Sequence, residues 1–447
     1  MAKAVIETAE VSPFLGVLEA FQKERGQGDP EWLAARRRSA FEAFKANGVP
    51  TPKREAWRTT DLRPLNKLKF SLPDGPSKVA PAALDPYRLG MVDTHLAVFV
   101  DGRFAPELSR LDALPEGVEV TSLATALVER PELLEPYLAS HAESSDPDDA
   151  MVALNTAFLS DGAFVRLAKG AVLDVPIHLL WLTTGRPVMV YPRTLVVADP
   201  LAEATVVESF VGRDGGYLVD AVTELVAKDD AKIDHFTIQR ESPEAWHVHH
   251  VRGKAHRNAR IATFSHSEGA KVARNEADIH LVEEGAECGM DGIFLGGAEQ
   301  HVDNHTRIVH AAPHTDSVEN YRGIMTGCAH GVFTGSVLVE KGAQKTNSDQ
   351  ENKNLLLSDK AHVDTTPQLE IHADDVKCAH GSTIGQLDET SLFYLRARGI
   401  PSDEARLLLT QAFAGVVLGP VRHDGLREHL EGRIAAWFET HRKEGVR

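Results

Sequence analysis

The pattern of apolar and polar positions divides the chain into helical ends and a long strand-rich middle. Residues 10–48 carry apolar side chains at helical spacing, and Asp29-Pro30 and Gly48 are typical of a helix start and a helix end. From about 161 to 377, short runs of valine, isoleucine and threonine alternate with glycine, without a sustained helical period. This pattern predicts a mainly β core flanked by helices.

A repeat runs through the strand-rich middle. Each copy has a turn, an alanine, one variable residue and a strand-forming residue, and Ala204, Ala231, Ala259 and Ala286 are spaced by 27, 28 and 27 residues. Such spacing predicts a solenoid, because each coil buries its apolar face only by stacking on its neighbours and a small residue fits a tight corner. We therefore expect a parallel β-helix or a closely related β-solenoid. A sandwich of two antiparallel sheets is the alternative.

The changes of pattern also give expected domain boundaries. An N-terminal helical domain occupies residues 1–90, and a C-terminal helical domain occupies residues 378–447. The β-helix core lies between them at residues 91–377, with a helical and loop insertion at about 121–160. The core is expected to be a stiff frame that holds the functional groups.

The C-terminal part contains two helix starts and one amphipathic stripe. Asp388 and Ser402 are each placed to cap a helix. Seven apolar residues after Ser402 fall at i, i+3, i+4, i+7, i+8, i+11 and i+12, which predicts one apolar face. Such a face either buries against its own domain or docks a partner, and both interpretations stay open. The seven residues are Ala405, Leu408, Leu409, Ala412, Phe413, Val416 and Val417.

The acidic composition narrows the classes of partner. The 447 residues include 65 Asp and Glu against 48 Lys and Arg, and the net charge of −17 argues against a nucleic-acid or anionic-membrane surface. The three cysteines are far apart and form no disulfide framework, which favours a reducing compartment. No apolar run approaches the roughly 20 residues that span a bilayer, and Met1–Thr8 lacks the apolar core of a signal peptide. A cytoplasmic protein is expected.

The main candidate for chemistry is the pair Cys378 and His380. In an extended segment, side chains at i and i+2 lie on the same face, so both can point at one metal ion or one reactive group. Thiolate and imidazole are ligands that suit iron, zinc or copper(I). The alternative is a small buried cysteine beside a hydrogen-bonded histidine.

A second candidate is the histidine cluster at residues 247–250. His247 and His249 share one face of a predicted strand and have metal-ligand spacing, or else they belong to a solvent-facing strand of the frame. The sequence contains no phosphate-cradling glycine loop, no nucleophile elbow and no H-E-x-x-H motif. A self-sufficient ATPase, serine hydrolase or zinc protease is therefore not expected.

The other two cysteines are weaker candidates. Cys328-Ala329-His330-Gly331 repeats the four residues that begin at Cys378, so the two copies either converge on one metal or coincide by chance. Cys288 falls at an expected coil corner, where a structural role is favoured.

Longer motifs are spread over most of the chain. They are Arg54–Arg58, Val98–Phe104, Leu154–Phe158, Val206–Ser209, Gln344–Thr346, Asn352–Ser358, Pro367–Ile371, Asp374–Glu389 and Leu392–Ile400. These motifs resemble the SufB/SufD family of iron–sulfur cluster assembly scaffold subunits, and among its members the SufD branch. The resemblance is most specific in the C-terminal half.

The resemblance implies a right-handed parallel β-helix between helical domains. It implies a non-catalytic scaffold that binds SufB and also binds the ATPase SufC through the C-terminal helical domain. By the same resemblance, Cys378 is a candidate thiolate ligand or sulfur acceptor and His380 a candidate iron ligand, at the interface with SufB where an iron–sulfur cluster forms transiently. The resemblance does not assign a flavin.

The sequence departs from the family pattern in two places. Thr315 stands where many relatives have cysteine, and Cys328-Ala329-His330 replaces a usually basic segment. The resemblance therefore gives no support to Cys328 as a ligand.

Two rival functions are compatible with the residues. One is a β-helix enzyme, either a polysaccharide lyase or a metal-dependent hydrolase that uses the histidines at 247–250. Aromatic residues make up only 6% of the chain, which is few for a sugar-binding face. The other rival is a purely structural partner of SufB, with Cys378 and His380 packed and inert.

Overall fold

A computed structural model describes residues 13–25, 28–75, 77–90, 92–140, 146–185 and 187–441. The segment Met1–Thr8 and the first residues of the predicted N-terminal helix lie outside these ranges. The α-helices are α1 (Pro13–Arg25), α2 (Glu31–Asn47), α3 (Leu123–Glu129), α4 (Pro131–Leu134), α5 (Ala150–Phe158), α6 (Glu389–Ala397), α7 (Ser402–Leu418) and α8 (Asp424–His441). Short 3-10 helices cover Glu55–Trp57, Arg63–Lys67, Pro81–Tyr87, Pro106–Leu108 and Pro147–Asp149.

The strands begin in the N-terminal part and continue almost to the C-terminal helices. The early strands are β1 (His95–Val100), β2 (Arg103–Phe104), β3 (Val118–Ser122), β4 (Ala163–Leu167), β5 (Ile177–Thr183), β6 (Met189–Val190) and β7 (Arg193–Ala198). Regular long strands follow: β8 (Glu203–Gly212), β9 (Leu218–Ala227), β10 (Lys232–Glu241), β11 (Trp246–Ala255), β12 (Arg260–Gly269), β13 (Val272–Leu281) and β14 (Glu287–Gly296). The last are β15 (His301–His310), β16 (Asp316–Met325), β17 (His330–Val339), β18 (Asn347–Leu356), β19 (His362–Ile371) and β20 (Lys377–Gly385).

The strands form two sheets that the chain visits in alternation. The first sheet has the order β2-β1-β5-β8-β10-β12-β14-β16-β18-β20, and the second has the order β19-β17-β15-β13-β11-β9-β7-β4-β3. From β7 and β8 onward every pairing is parallel, as in β10 with β12 and β11 with β13. The predicted parallel β-solenoid is therefore confirmed, and the antiparallel sandwich is wrong.

The corners before the first sheet explain the repeat in the sequence. At three successive corners a non-glycine residue has a positive φ, namely Leu201 (66°), Asp230 (59°) and Asn258 (53°). A fully buried alanine follows each of them, as Ala231 follows Asp230. Ala202 is the alanine that follows Leu201, whereas Ala204 pairs in register with Ile233 inside the sheet. The structure therefore contains the repeat. Its corner before β8 is at Ala202, however, two residues before the Ala204 that the sequence spacing indicates.

The space between the sheets is filled by apolar side chains and by a few buried polar groups. Glu208 is one of these buried polar groups. Its carboxylate accepts hydrogen bonds from Trp181 (3.1 Å), Thr194 (2.6 Å), Thr223 (2.6 Å) and His235 (2.9 Å). Burial alone would raise the pKa of this carboxyl, but the hydrogen bond and charge of His235 lower the pKa to about 2. The four donors hold the Glu208 carboxylate in place, which is typical of a structural group.

Helices cover the outer faces of both sheets. The N-terminal helices and the buried Trp57 pack against the second sheet through an apolar cluster that includes Leu218 and Val248. Residues of α7 and α8, among them Val417 and Trp437, pack against the first sheet. At the start of α2, Asp29 forms an ion pair with Arg37 (3.2 Å), and the N-cap residue is Pro30, without a side-chain cap.

The C-terminal helices differ from the sequence pattern in two details. The Asp388 side chain accepts hydrogen bonds from the backbone at the start of α6, so this predicted cap is confirmed. The predicted Ser402 cap is wrong, because Pro401 is the N-cap residue of α7 and makes no side-chain cap. None of the helices in the described ranges is both long enough and apolar enough to cross a bilayer.

The predicted apolar stripe of α7 is split between two environments. Leu408, Ala412 and Val416 are exposed, whereas Thr410 and Ala414 are buried. The buried face is therefore rotated from the face with the most apolar residues, because α8 and the first sheet contact the helix from another side. An exposed apolar line remains on α7.

Candidate functional site at the open end of the solenoid

The last coil leaves one end of the solenoid uncovered. Strands β19 and β20 are the terminal strands of their sheets. The last strand starts at Lys377, at the predicted end of the core, and it runs on to Gly385 before the helices begin. Ile371 of β19 and Ile384 of β20 are 40% and 47% exposed, since no further coil of the described chain stacks on them. The candidate residues Cys378 and His380 lie in this coil.

Cys378 and His380 lie on the inner face of β20. In the parallel register, Cys378 pairs with Ser348 and His380 pairs with Gln350, and the side chains of both β18 residues are buried between the sheets. Because side chains alternate between the two faces of a strand, Cys378 and His380 also point to the inner side, at the open end of the solenoid. Cys378 is half-buried and His380 is exposed. The two side chains therefore share one accessible face, as their spacing predicts.

The surroundings of Cys378 favour a protonated thiol in the free protein. The side chain packs beside an apolar group that includes Val337 and Leu369. Burial raises the pKa of the Cys378 thiol, and hydrogen bonding with the Ser348 backbone opposes part of that rise. Because the thiolate is the form that binds metal or attacks sulfur, loading of this site must displace a proton.

Buried polar side chains form two rows behind the pair. In one row, His310 is hydrogen-bonded to Ser317 (2.9 Å), and Ser317 donates to Ser348 (2.8 Å), the register partner of Cys378. In the other row, Gln350 donates to Glu319 (2.6 Å), and Gln350 is the register partner of His380. Polar side chains therefore continue from the open end of the solenoid into the space between the sheets.

The acidic member of these rows is unusual for a carboxyl group. Burial raises the pKa of Glu319 to about 7, which the hydrogen bonding of Thr306 and Gln350 only partly opposes. Sequence reasoning missed Glu319, because the strand Asp316–Met325 has as many polar as apolar residues and gives no signal of a buried charge. The amide-rich strand β18 belongs to the same interior, since Asn352 donates to the Tyr321 carbonyl (3.1 Å) and accepts from Thr365 (2.9 Å).

The histidines at 247–250 are not a surface site. His247 and His249 share the inner face of β11, as predicted, but both are buried, so the expectation of a solvent-facing strand is wrong. His247 lies 2.8 Å from a Glu241 carboxylate oxygen, and His249 is hydrogen-bonded to Thr223 (3.0 Å). A substrate cannot reach these rings, which counts against the β-helix enzyme.

The two Cys-Ala-His-Gly copies face different sides of the solenoid. Cys328 is exposed in the turn before β17, and His330 lies on the outer face of the second sheet. Cys378 and His380 lie instead on the inner face of the first sheet. Cys288 is buried in the interior, where burial raises the pKa of its thiol far above the usual range. Its environment is that of a structural residue.

Comparison with known proteins decides the family. Residues 181–413 match the SUF system FeS cluster assembly, SufBD core domain, and residues 14–179 match the SufBD protein N-terminal region. The chain belongs to the SufBD family. The SufBD core match ends inside α7, so it includes the open end with Cys378 and His380 as well as most of the solenoid.

Curated relatives cover nearly the whole chain. An iron-sulfur cluster assembly SufBD family protein of Synechocystis is 32% identical over 409 residues, which is 89% of this chain and 89% of the relative. Iron-sulfur cluster assembly protein SufD of Escherichia coli is 30% identical over 87% of this chain and 89% of its own length. SufD of Bacillus subtilis is 25% identical over 90% of this chain and 93% of its own length.

Proposed function

We propose that this chain is the SufD-type scaffold of a SufBCD iron–sulfur cluster assembly complex, working in the cytoplasm. The observation that carries the proposal is the position of Cys378 and His380 on one accessible face of the terminal strand. In this role the protein presents ligands and binding surfaces, while SufC hydrolyses ATP. The chain itself makes and breaks no substrate bond.

The open end of the solenoid is the proposed SufB surface. A terminal strand presents unpaired backbone groups, which another strand or a covering chain satisfies. Ile371 and Ile384 add exposed apolar side chains on the inner faces of the two terminal strands. A partner that covers this end would bury these side chains and enclose Cys378 and His380 between two subunits.

The number of donors also supports a shared site. Iron–sulfur clusters are held by about four protein ligands, usually cysteines with histidine as an occasional replacement. Cys378 and His380 supply one thiolate and one imidazole, so a cluster that forms here as cargo requires further ligands from a partner. Transient assembly at a subunit interface follows from this shortage. Because binding needs a thiolate and a neutral imidazole, assembly is expected to weaken in acid.

The C-terminal helices are the proposed SufC surface. Leu408 and Val416 form an exposed apolar line with Ala412 along α7, and Phe393 of α6 is 73% exposed. The opposite face of α7 and much of α8 pack on the first sheet. A partner bound to the exposed apolar line would therefore contact a helix that also packs on the first sheet. Movements of that partner could be transmitted through α7 to the strands.

The test is cluster formation on the reconstituted complex of this chain with its SufB and SufC, supplied with ferrous iron and a sulfide source. Cys378→Ser and His380→Ala are made separately, and each is expected to lower the cluster yield severalfold by visible absorbance and iron analysis. Cys328→Ser is the matched control, because Cys328 is an exposed thiol outside the proposed site.

Complex assembly is checked first by size-exclusion chromatography, which separates loss of ligands from loss of the partner. Unchanged cluster yield in both Cys378→Ser and His380→Ala would show that these residues are not cluster ligands. The chain would then be a purely structural partner of SufB.

A further inference from the structure

Three histidines form a row on the outer face of the second sheet. His301, His330 and His362 are register partners on β15, β17 and β19. The Nδ1 atoms of His301 and His330 are 3.1 Å apart, with ring centroids separated by 4.7 Å. The His330 and His362 rings are stacked, with centroids 4.0 Å apart. The first pair therefore meets through nitrogen atoms, and the second pair through ring faces.

The partners of His301 fix which of its nitrogens carries the proton. Its Nε2 lies 2.7 Å from the Thr60 hydroxyl, and that hydroxyl donates its only proton to the Asp303 carboxylate. Arg274 also donates to the Asp303 carboxylate (2.7 Å), so Asp303 is an acceptor from both of these donors. Thr60 can then only accept from His301, so Nε2 carries the proton and Nδ1 has a free lone pair.

The partner of His330 leads to the same tautomer. Its Nε2 lies 2.9 Å from a carboxylate oxygen of Asp364. A carboxylate accepts hydrogen bonds and does not donate them, so Nε2 of a neutral His330 carries the proton and its Nδ1 has a free lone pair. Two lone pairs therefore face each other across 3.1 Å. Such a contact is repulsive unless a cation lies between the two nitrogens.

The ring positions are compatible with one metal ion between the two nitrogens. Two imidazoles that bind one ion at about 2.0–2.1 Å, with their nitrogens 3.1 Å apart, subtend roughly 100° and place their centroids roughly 4.8 Å apart. A straight N–H···N hydrogen bond of the same length places the centroids roughly 5.4 Å apart. The observed separation is 4.7 Å. The separation matches that of two ligands of one ion and is shorter than a straight hydrogen bond between the rings would give.

We propose that His301 and His330 bind a divalent first-row transition-metal ion through their Nδ1 atoms. Imidazole nitrogen suits zinc, copper, nickel and iron, and a carboxylate that accepts from the other ring nitrogen is a usual second partner of a metal-bound histidine. Asp364 is hydrogen-bonded directly to Nε2 of His330, and Asp303 is linked to Nε2 of His301 through the Thr60 hydroxyl. Within the described part of the chain, no third histidine, cysteine or carboxylate completes a three-donor group here, so water fills the remaining positions.

The charges around the pair suit a bound cation. The nearby carboxylates of Asp303 and Asp364 offset the charge of a bound cation. The site is distinct from Cys378 and His380, which lie on the inner face of the other sheet.

Zinc binding to the full-length chain tests the proposal. Calorimetric titration with Zn²⁺ is expected to show one equivalent fewer in His301→Gln and in His330→Gln than in the wild type. Asp364→Asn and Thr60→Val keep both ligands but remove the partners that orient them, and each is expected to weaken this equivalent by about 10–100-fold. An anomalous difference map of zinc-soaked crystals is expected to show a peak between the two Nδ1 atoms.

His314→Asn is the matched control. His314 is an exposed histidine just beyond the opposite end of β15, and asparagine tolerates its positive φ of 57°. This variant is expected to bind zinc as the wild type does. The proposal is overturned if no anomalous peak lies between His301 and His330 and the ligand variants titrate like the wild type. It is equally overturned if nitrogen NMR shows a proton shared by these rings both with and without saturating zinc.

Discussion

At the scale of the residue, the interior holds two glutamates with opposite pKa shifts. Glu208 accepts hydrogen bonds from both Trp181 and His235, among others, and its pKa falls to about 2. Glu319 accepts from Gln350, and burial raises its pKa to about 7. Because both carboxyls are fully buried, the difference comes from the number and charge of their donors. The two residues should therefore affect stability in opposite directions.

Replacement of Glu319 by glutamine is expected to stabilise the protein at high pH. In the wild type, the folded state holds a proton on Glu319 up to about pH 7, whereas the unfolded chain releases it near 4.5. Wild-type stability therefore falls as pH rises from 4.5 to 7. Glu319→Gln removes this loss, so at pH 8 its free energy of unfolding should exceed the wild-type value by roughly 2–4 kcal/mol, relative to the difference at pH 4. Chemical denaturation at both pH values measures it, and an unchanged pH dependence contradicts the assignment.

Replacement of Glu208 by glutamine is expected to have the opposite effect. The pKa of Glu208 lies below its unfolded value, so its ionised form stabilises the fold above pH 4.5, and this contribution is lost as pH falls toward 2. Glu208→Gln leaves donors such as His235 poorly matched and should lower the free energy of unfolding by roughly 3 kcal/mol at pH 7. The same denaturation series measures it. A wild-type value at pH 7 would show that the buried layer does not depend on the charge.

Single residues differ in how far sequence reveals them. Cys378 and His380 were predictable as a pair, because residues at i and i+2 share a strand face whatever the fold. The pairing of His301 with His330 was not, since these residues are 29 positions apart and meet only through the register of successive coils. The histidines at 247–250 were misplaced for a related reason, because a strand covered on both faces shows no polar side.

At the scale of the element, the solenoid was predictable and the packing of its helices was not. Regular corners leave a spacing in the sequence, and the buried alanines Ala231, Ala259 and Ala286 mark them. The orientation of α7 depends on contacts with α8 and the first sheet, which are distant in sequence. The local sequence pattern therefore predicted the helix and its period correctly. It did not predict that Leu408 and Val416 are exposed.

The two predicted helix caps allow a matched comparison. Asp388 accepts from the Ser391 backbone (2.8 Å) at the start of α6, so Asp388→Ala should destabilise that helix. Ser402 makes no cap, so Ser402→Ala should leave α7 unchanged. Hydrogen exchange of Glu389–Ala397 should accelerate in the first variant, while Ser402–Leu418 should be unaffected in the second. Equal protection in both variants and the wild type contradicts the role of Asp388.

At the scale of the whole molecule, the solenoid is covered on its faces and open at one end. Helices pack on the outer surfaces of both sheets, and among the described residues no strand lies beyond the terminal strands β19 and β20. An exposed strand edge on a stable protein is usually protected or occupied. The composition of the chain and the family it belongs to both favour a protein partner at this end.

Charges on the inner faces of the terminal strands should weaken partner binding without unfolding the chain. Ile371→Lys and Ile384→Lys each place a cation where SufB is proposed to pack, and each should weaken the complex at least about tenfold, or about 1.4 kcal/mol. Val128→Lys is the control, since Val128 is an 83% exposed apolar residue in α3, far from the last coil in the strand order. The affinity of each variant for SufB is measured by surface plasmon resonance. Loss of binding in Val128→Lys alone would show that SufB binds away from the last coil.

Hydrogen exchange of the full-length chain with and without SufB tests whether this partner covers the open end of the solenoid. We expect slower exchange in His362–Ile371 and Lys377–Gly385 when SufB is bound, because the partner covers the edge that holds Cys378 and His380. Glu203–Gly212 lies in the middle of the first sheet and should exchange equally in both states. Unchanged exchange in the two terminal strands, in a sample shown to contain the complex, would contradict the account.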